Sequence, residues 1–192
     1  MRVVLASKSP RRRELLASLF ADFEIISLEV DETLPSDMHP ARGVEVLAVR
    51  KGAAVAKTLP EDILVISSDT LVELSGIPLG KPKDEADAKR MLRSLSGVAH
   101  NVHTGVAVHY RGKLYSKTAS TAVHFREMTD SEIEEYVKSG EPMDKAGAYG
   151  IQGLGGKFVT GYDGDFDTVV GLSMRVVREL CELALSDAGE SL

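Results

Sequence analysis

The four-residue run Ile63-Leu64-Val65-Ile66 constrains this chain more than any other feature. It is continuously apolar with no polar alternation, so it reads as a strand buried on both faces, inside a sheet covered by helices on either side. The strand is expected to end at Ser67-Ser68-Asp69-Thr70. Arg2 to Ala6 reads as a second short buried strand. Ser9-Pro10 behind it supplies an N-cap and a proline at the first helical position, which predicts a helix to about Phe20. Leu15, Leu16, Leu19 and Phe20 would form its apolar stripe.

Further helices are expected from about Ala41 to Lys57 and around Ala88, Met91, Leu92 and Leu95. In the latter, acidic Asp84, Glu85 and Asp87 precede basic Lys89, Arg90 and Arg93, with Gly97 as the stop. Val102–Tyr110 and Leu114–Phe125 flank Arg111-Gly112-Lys113 and read as a hairpin. Thr129 and Glu132 form a capping box for a helix ended by Gly140. A last helix runs from near Ser173 to Leu185. Before it, Gly147, Gly150, Gly153, Gly155 and Gly156 make a loop able to bring backbone close to a ligand. The class is α/β, and with no repeat or linker the whole of 1–192 is expected to be one domain.

At 192 residues and 43% apolar composition the chain can bury one substantial core. It carries no secretory signal and no apolar run able to span a bilayer, so a cytoplasmic protein is expected. A net charge of −6 argues against a broad surface for duplex nucleic acid, while leaving room for a local cationic pocket that takes a small polyanion. The single cysteine, Cys181, has apolar neighbours at helical spacing, which suggests packing rather than chemistry.

Arg11, Arg12 and Arg13 stand in the first turn of the first helix, where the dipole makes each cation unfavourable by ~0.3–1 kcal/mol. A bound phosphate would compensate, since helix N-terminal amides and arginine forks both suit its oxygens. Alternatively the arginines splay into solvent or pair with distant carboxylates. Asp69, directly after an apolar strand, sits where open α/β sheets bind ligands. There it can hold Mg²⁺ or activate water, or it can simply initiate a turn by capping nearby amides. Glu32 could complete a metal site with Asp69 or be a solvated loop residue. Gly76 to Pro82, around Lys81, has one spacer too few for a P-loop and ends in proline, and the glycines after Tyr149 fail the dinucleotide fingerprint. His100 and His103 lack a third ligand and suit hydrogen bonding or the surface better than a metal.

The segment Leu5-Ala6-Ser7-Lys8-Ser9-Pro10-Arg11-Arg12-Arg13-Glu14-Leu15-Leu16 resembles the signature opening of the Maf nucleotide pyrophosphatases. The likeness continues through Ser68-Asp69-Thr70, Gly80-Lys81-Pro82, Leu95-Ser96-Gly97 with His100 and Thr104-Gly105-Val106, and Asp144 to Gly153. It implies a fold like that of the inosine triphosphatase and Maf superfamily, a mixed twisted sheet flanked by helices with a central cleft between two lobes. It implies a homodimer that hydrolyses a nucleoside triphosphate to the monophosphate and pyrophosphate with Mg²⁺ or Mn²⁺. On that pattern Asp69 is the proton acceptor, Ser7, Arg12, Lys51 and Lys81 hold the triphosphate, and Glu32 assists the metal. Arg11, Thr70 and Gln152 match the branch acting on dTTP and UTP, whereas the 7-methyl-GTP branch has tryptophan after Ser-Pro and glutamate at the Gln152 position. Gly171-Leu172-Ser173 departs from the family's usual Gly-Leu-Pro and leaves the start of the last helix open. The competing expectations are a 7-methyl-GTP or broad modified-nucleotide pyrophosphatase, and a nucleotide-binding regulator of cell division without turnover.

Overall fold

The computed structural model describes residues 1–192. The run beginning at Ile63 opens a 12-residue strand, β3 (Ile63–Leu74), which passes through Ser67–Thr70 instead of ending there. The cause is a change of partner. On one edge, residues 63–66 of β3 pair in parallel with β1 (Arg2–Leu5), and Val72–Leu74 pair with β4 (Ile77–Leu79). On the other edge, β5 (Ala99–Tyr110) runs antiparallel to β3 from Val65 to Glu73, so the strand never loses its ladder. Hydropathy reports only the buried first third.

Completing the seven-stranded sheet are β2 (Glu24–Ile25) beside β1, then β6 (Lys113–Phe125) and β7 (Val159–Asp163) beyond β5. The expected hairpin is β5 and β6, paired from Ala99–His124 to Tyr110–Lys113 and so longer than the hydropathy pattern suggested. Helices α1 (Pro10–Leu16), α2 (Pro40–Ala56), α3 (Glu85–Leu95), α4 (Asp130–Lys138), α5 (Phe166–Val170) and α6 (Met174–Ser186) connect and cover it. The expected mixed α/β architecture is present.

Two boundaries differ from expectation or resolve it. α1 stops at Leu16 rather than Phe20 because the Ser18 hydroxyl turns back to the Leu15 carbonyl at 2.7 Å, competing with the next helical turn. Leu19 and Phe20 still pack against the core from that turn. At the other end of the chain, Ser173 caps α6 by accepting from the Val176 amide, so serine starts this helix without the family's proline.

Alternation along the strands sorts the core. Leu64 and Ile66 join Val106, Val108 and the apolar faces of α1 and α6, including Cys181. Ile63 and Val65 face α2 and meet Val55. Farther along, Val72 and Val102 belong to a separate cluster with Leu92, Phe125, Ile133, Tyr136 and Phe158, beneath α3 and α4. Between the clusters β3 and β5 present Ser68, Thr70 and Thr104 instead of apolar side chains. The sheet thus runs unbroken through two lobes with a polar waist. No helix is long and apolar enough to cross a membrane.

Candidate active site

At the waist lies a cleft of about 980 Å³. Every residue expected at the site except Ser7 lines it: Arg11, Arg12, Glu32, Lys51, Asp69, Thr70, Lys81 and Gln152. Ser7 lines an adjoining cavity of about 600 Å³ that shares Arg12, Glu32, Lys51 and Lys81 with the cleft.

Asp69 lies mid-strand, not at a strand end, and it is accessible because β3 has no strand on its β1-side edge between Ser67 and Leu71. Its ladder partner is Gly105, and α2 rests on that glycine with the Val44 backbone, close enough that a Cβ there would stand 2.4 Å from the Val44 carbonyl oxygen. Two turns on from Val44, Lys51 Nζ donates to Asp69 Oδ1 at 2.6 Å and pairs with Glu32 Oε1 at 2.7 Å. Glu32 itself is exposed. It faces Lys51 because Arg50 donates to the carbonyls on either side of it, Asp31 at 2.9 Å and Thr33 at 2.7 Å.

One ammonium therefore gathers two carboxylates around a position where a cation already sits. No group of three His, Cys, Asp or Glu side chains could form a metal cage from protein alone. Mg²⁺, however, is commonly held by one or two carboxylates together with substrate phosphates, and Asp69 with Glu32 fits that donor set.

Arg12 turns inward from α1. Its Nε donates to the Gly171 carbonyl at 2.9 Å, Nη1 to the Ser68 carbonyl at 2.7 Å and the Ser7 hydroxyl at 3.3 Å, and Nη2 to the Thr70 hydroxyl at 3.3 Å. All four acceptors are neutral, so the arginine neither splays into solvent nor forms an ion pair. Burial lowers its pKa below the usual guanidinium value, against the opposing field of Asp69. The Thr70 hydroxyl lies 2.9 Å from that of Thr104, which donates to the Thr168 carbonyl, so Thr70 is tied into the waist. Ser7 is buried, and its hydroxyl accepts from the Ser9 amide at 3.3 Å.

Arg11 and Lys81 enter the cleft with no ion-pair partner, while Arg13 points away into solvent. Gln152 is exposed and lines the same cleft, in the loop after Tyr149. Lys8, Lys145 and Glu141 also line the cleft, and sequence reasoning did not single them out. Two of these were within reach of it. Lys8 stands between Ser7 and Ser9, and Lys145 falls inside the Asp144–Gly153 segment. Arg50 gave no signal, because its role depends on a loop seventeen to nineteen residues away.

The two histidines are structural and both are buried. His100 Nε2 meets the Tyr149 hydroxyl at 2.8 Å behind the cleft wall, and burial, with a smaller contribution from His124, lowers its pKa to about 4. His103 bridges Ser120 at 2.7 Å and Glu73 at 3.0 Å. Burial pushes the Cys181 thiol up to about 12, consistent with packing.

Comparison with known proteins points one way. The model of the family described as Maf-like protein matches residues 2–184. A dTTP/UTP pyrophosphatase of Vibrio cholerae is 49% identical over 179 residues, covering 93% of this chain and 96% of the relative. One of Moorella thermoacetica is 52% identical over 181 residues, covering 93% of each. Among solved structures, the Ham1 protein of Staphylococcus aureus superposes with a TM-score of 0.49 at 19% identity, over 65% of this chain and 72% of that one, a likeness too loose to bear on the site.

Proposed function

The chain belongs to the Maf family, and from that premise we propose that it hydrolyses dTTP and UTP at the α–β phosphoanhydride, releasing the nucleoside monophosphate and pyrophosphate. The observation that carries the reading is the juxtaposition, in one cleft, of a strand carboxylate held by Lys51 with the unpaired cations Arg11 and Lys81. Reaction at phosphorus needs little covalent help from a protein. It needs a water oriented for in-line attack, and positive charge where the transferring and leaving groups gather negative charge.

In this reading Asp69 accepts the proton of the water that attacks the α-phosphorus. Lys51 holds the Asp69 carboxylate in one rotamer, which keeps the acceptor aimed as the substrate changes shape. Lys81 and Lys51, with Arg12 behind them, offset the charge that develops on the departing pyrophosphate. Arg12 sits anchored on the carbonyls of Ser68 and Gly171, so its charge needs no reorganisation as the reaction proceeds. Asp69 and Glu32 would hold a divalent cation, Mg²⁺ or Mn²⁺, which when bound supplies neutralisation of the phosphate oxygens. In the same cleft, Gln152 offers both an amide donor and a carbonyl acceptor, as the edge of thymine or uracil requires.

A pyrophosphate-release assay with dTTP, UTP, CTP, GTP and 7-methyl-GTP, in Mg²⁺ and in Mn²⁺, tests the proposal. Turnover strongest on dTTP and UTP is expected. Nucleotide binding with no release of pyrophosphate would overturn it in favour of a sensor, and turnover greatest on 7-methyl-GTP would overturn the substrate assignment.

A further inference from the structure

Gln152 is exposed and makes no hydrogen bond to the rest of the protein, so its position depends entirely on the backbone that carries it. That backbone is the tripeptide Ile151-Gln152-Gly153, and one carboxylate with one phenol holds it at both ends. Glu141 Oε2 accepts from the Leu154 amide at 2.9 Å, and Oε1 accepts from the Gly155 amide at 3.1 Å. The buried Tyr136, from α4, donates its hydroxyl to Glu141 Oε1 at 2.8 Å and accepts from the Gly150 amide at 3.2 Å. The middle of the loop lies directly on the carboxylate, for a Cβ on Gly153 would stand 2.5 Å from either oxygen. Burial of Glu141 opposes its ionisation. The Leu154 amide, the Tyr136 hydroxyl and the Gly155 amide more than offset this and hold its pKa below the ordinary carboxylate value.

We propose that Glu141 is a positioning residue for base selectivity: by holding the two amides that follow Ile151-Gln152-Gly153, and by orienting the Tyr136 hydroxyl that holds the Gly150 amide before it, it fixes where the Gln152 amide meets the nucleobase. The proposal rests on the reading of Gln152 as the base contact. It assigns Glu141 no part in the chemistry at phosphorus. A carboxylate offers acceptors on both oxygens and no donor, and that is what two backbone amides and a phenol require. In Glu141→Gln the amide nitrogen would face one of those N–H groups, so the flank that follows Gly153 loses one of its two bonds.

The test has two readouts. Steady-state kinetics on dTTP and CTP should show Glu141→Gln lowering the ratio of their kcat/KM values by about 10-fold, through a higher KM for dTTP with kcat changed by less than about twofold, as expected for lost positioning of a base-reading amide. Hydrogen exchange on the nucleotide-free protein should show faster exchange at the amides of Leu154 and Gly155. Tyr136→Phe, which removes the phenol bonds and leaves the carboxylate in place, should move both readouts in the same direction by less, and it serves if Glu141→Gln fails to fold. Selectivity equal to the wild type, or an equal loss on both nucleotides, would overturn the proposal. If the wild-type chain turns over no nucleotide, the proposed function fails, and the exchange data alone then decide the clamp: protection unchanged in Glu141→Gln overturns it.

Discussion

Gly105→Ala should disable the site from behind. An added Cβ would meet the Val44 carbonyl oxygen at 2.4 Å, its carbonyl carbon at 2.5 Å and the Glu45 amide nitrogen at 2.6 Å. These atoms are helix backbone and cannot rotate aside. Restoring ordinary contact at about 3.5 Å requires α2 to lift from the sheet by on the order of 1 Å. Overpacking of this kind costs about 1–3 kcal/mol. The lower entropy of the unfolded alanine chain returns only about 0.4–1 kcal/mol, so strain wins. At about 2–4 °C per kcal/mol for a chain of this size, Tm should fall by several degrees. Lys51 rides on the same helix face and now donates to Asp69 at 2.6 Å, so the lift should also separate that pair. A misplacement near 1 Å can cost up to about 100-fold in rate. Scanning calorimetry and kcat/KM on dTTP measure the two effects, with Gly161→Ala, whose Cβ would meet nothing within 4 Å, as the control. Wild-type Tm and wild-type kcat/KM in Gly105→Ala would refute the claim that contact at this glycine sets the Lys51–Asp69 distance.

Asp69→Asn should lower kcat by at least ~10²–10⁴-fold, the usual effect of losing a general base, with an unchanged circular dichroism spectrum; a near-wild-type rate would remove Asp69 from that role. Gln152→Glu should weaken use of both dTTP and UTP, because a carboxylate cannot donate to a base carbonyl, and unchanged kcat/KM for both would exclude Gln152 from base contact. His100 should make stability pH-dependent. Its folded pKa of about 4 lies below the ordinary 6.5, so the unfolded chain takes up the proton first. Stability is therefore full above about pH 6.5 and falls as pH drops toward 4, by up to about 1.4 kcal/mol per pH unit. Urea titrations between pH 7 and 4 should show this slope reduced in His100→Asn relative to the wild type.

The helices and the residues that line the cleft are legible in the sequence, and the geometry that joins them is not. Ser9-Pro10 announced α1, and Thr129 with Glu132 announced α4, because caps are local signals read from adjacent residues. Asp69 is recognisable as a carboxylate after an apolar run, yet its position in the middle of β3 is not. Whether β3 continues past Ile66 depends on β5, about forty residues later, and on β4 replacing β1 along its edge. Neither partner leaves a mark on the hydropathy of Ser67–Thr70. β2 escaped notice for a related reason: its two residues are exposed, and only pairing with Val4 and Leu5 makes them a strand. The Glu141 anchor is non-local in the same way, since nothing near Pro142 shows that its neighbour's carboxylate will lie beneath Gly153.

That partner exchange along β3 also accounts for where the cleft lies. Between the end of β1 and the start of β4, the edge from Ser67 to Leu71 keeps backbone groups that no strand satisfies, and buried groups of this kind must find partners. Arg12 supplies one through the Ser68 carbonyl, and the same guanidinium reaches Gly171 and Thr70. Closing the gap with a further strand would satisfy those groups equally well, but it would cover Asp69. An arginine satisfies one of them while bringing a fixed positive charge near the carboxylate, in a partly buried setting where charge acts more strongly on a phosphate than it would in open water. The interruption in the sheet edge is thus what allows a chain of net charge −6 to present a cationic recess for a polyanion.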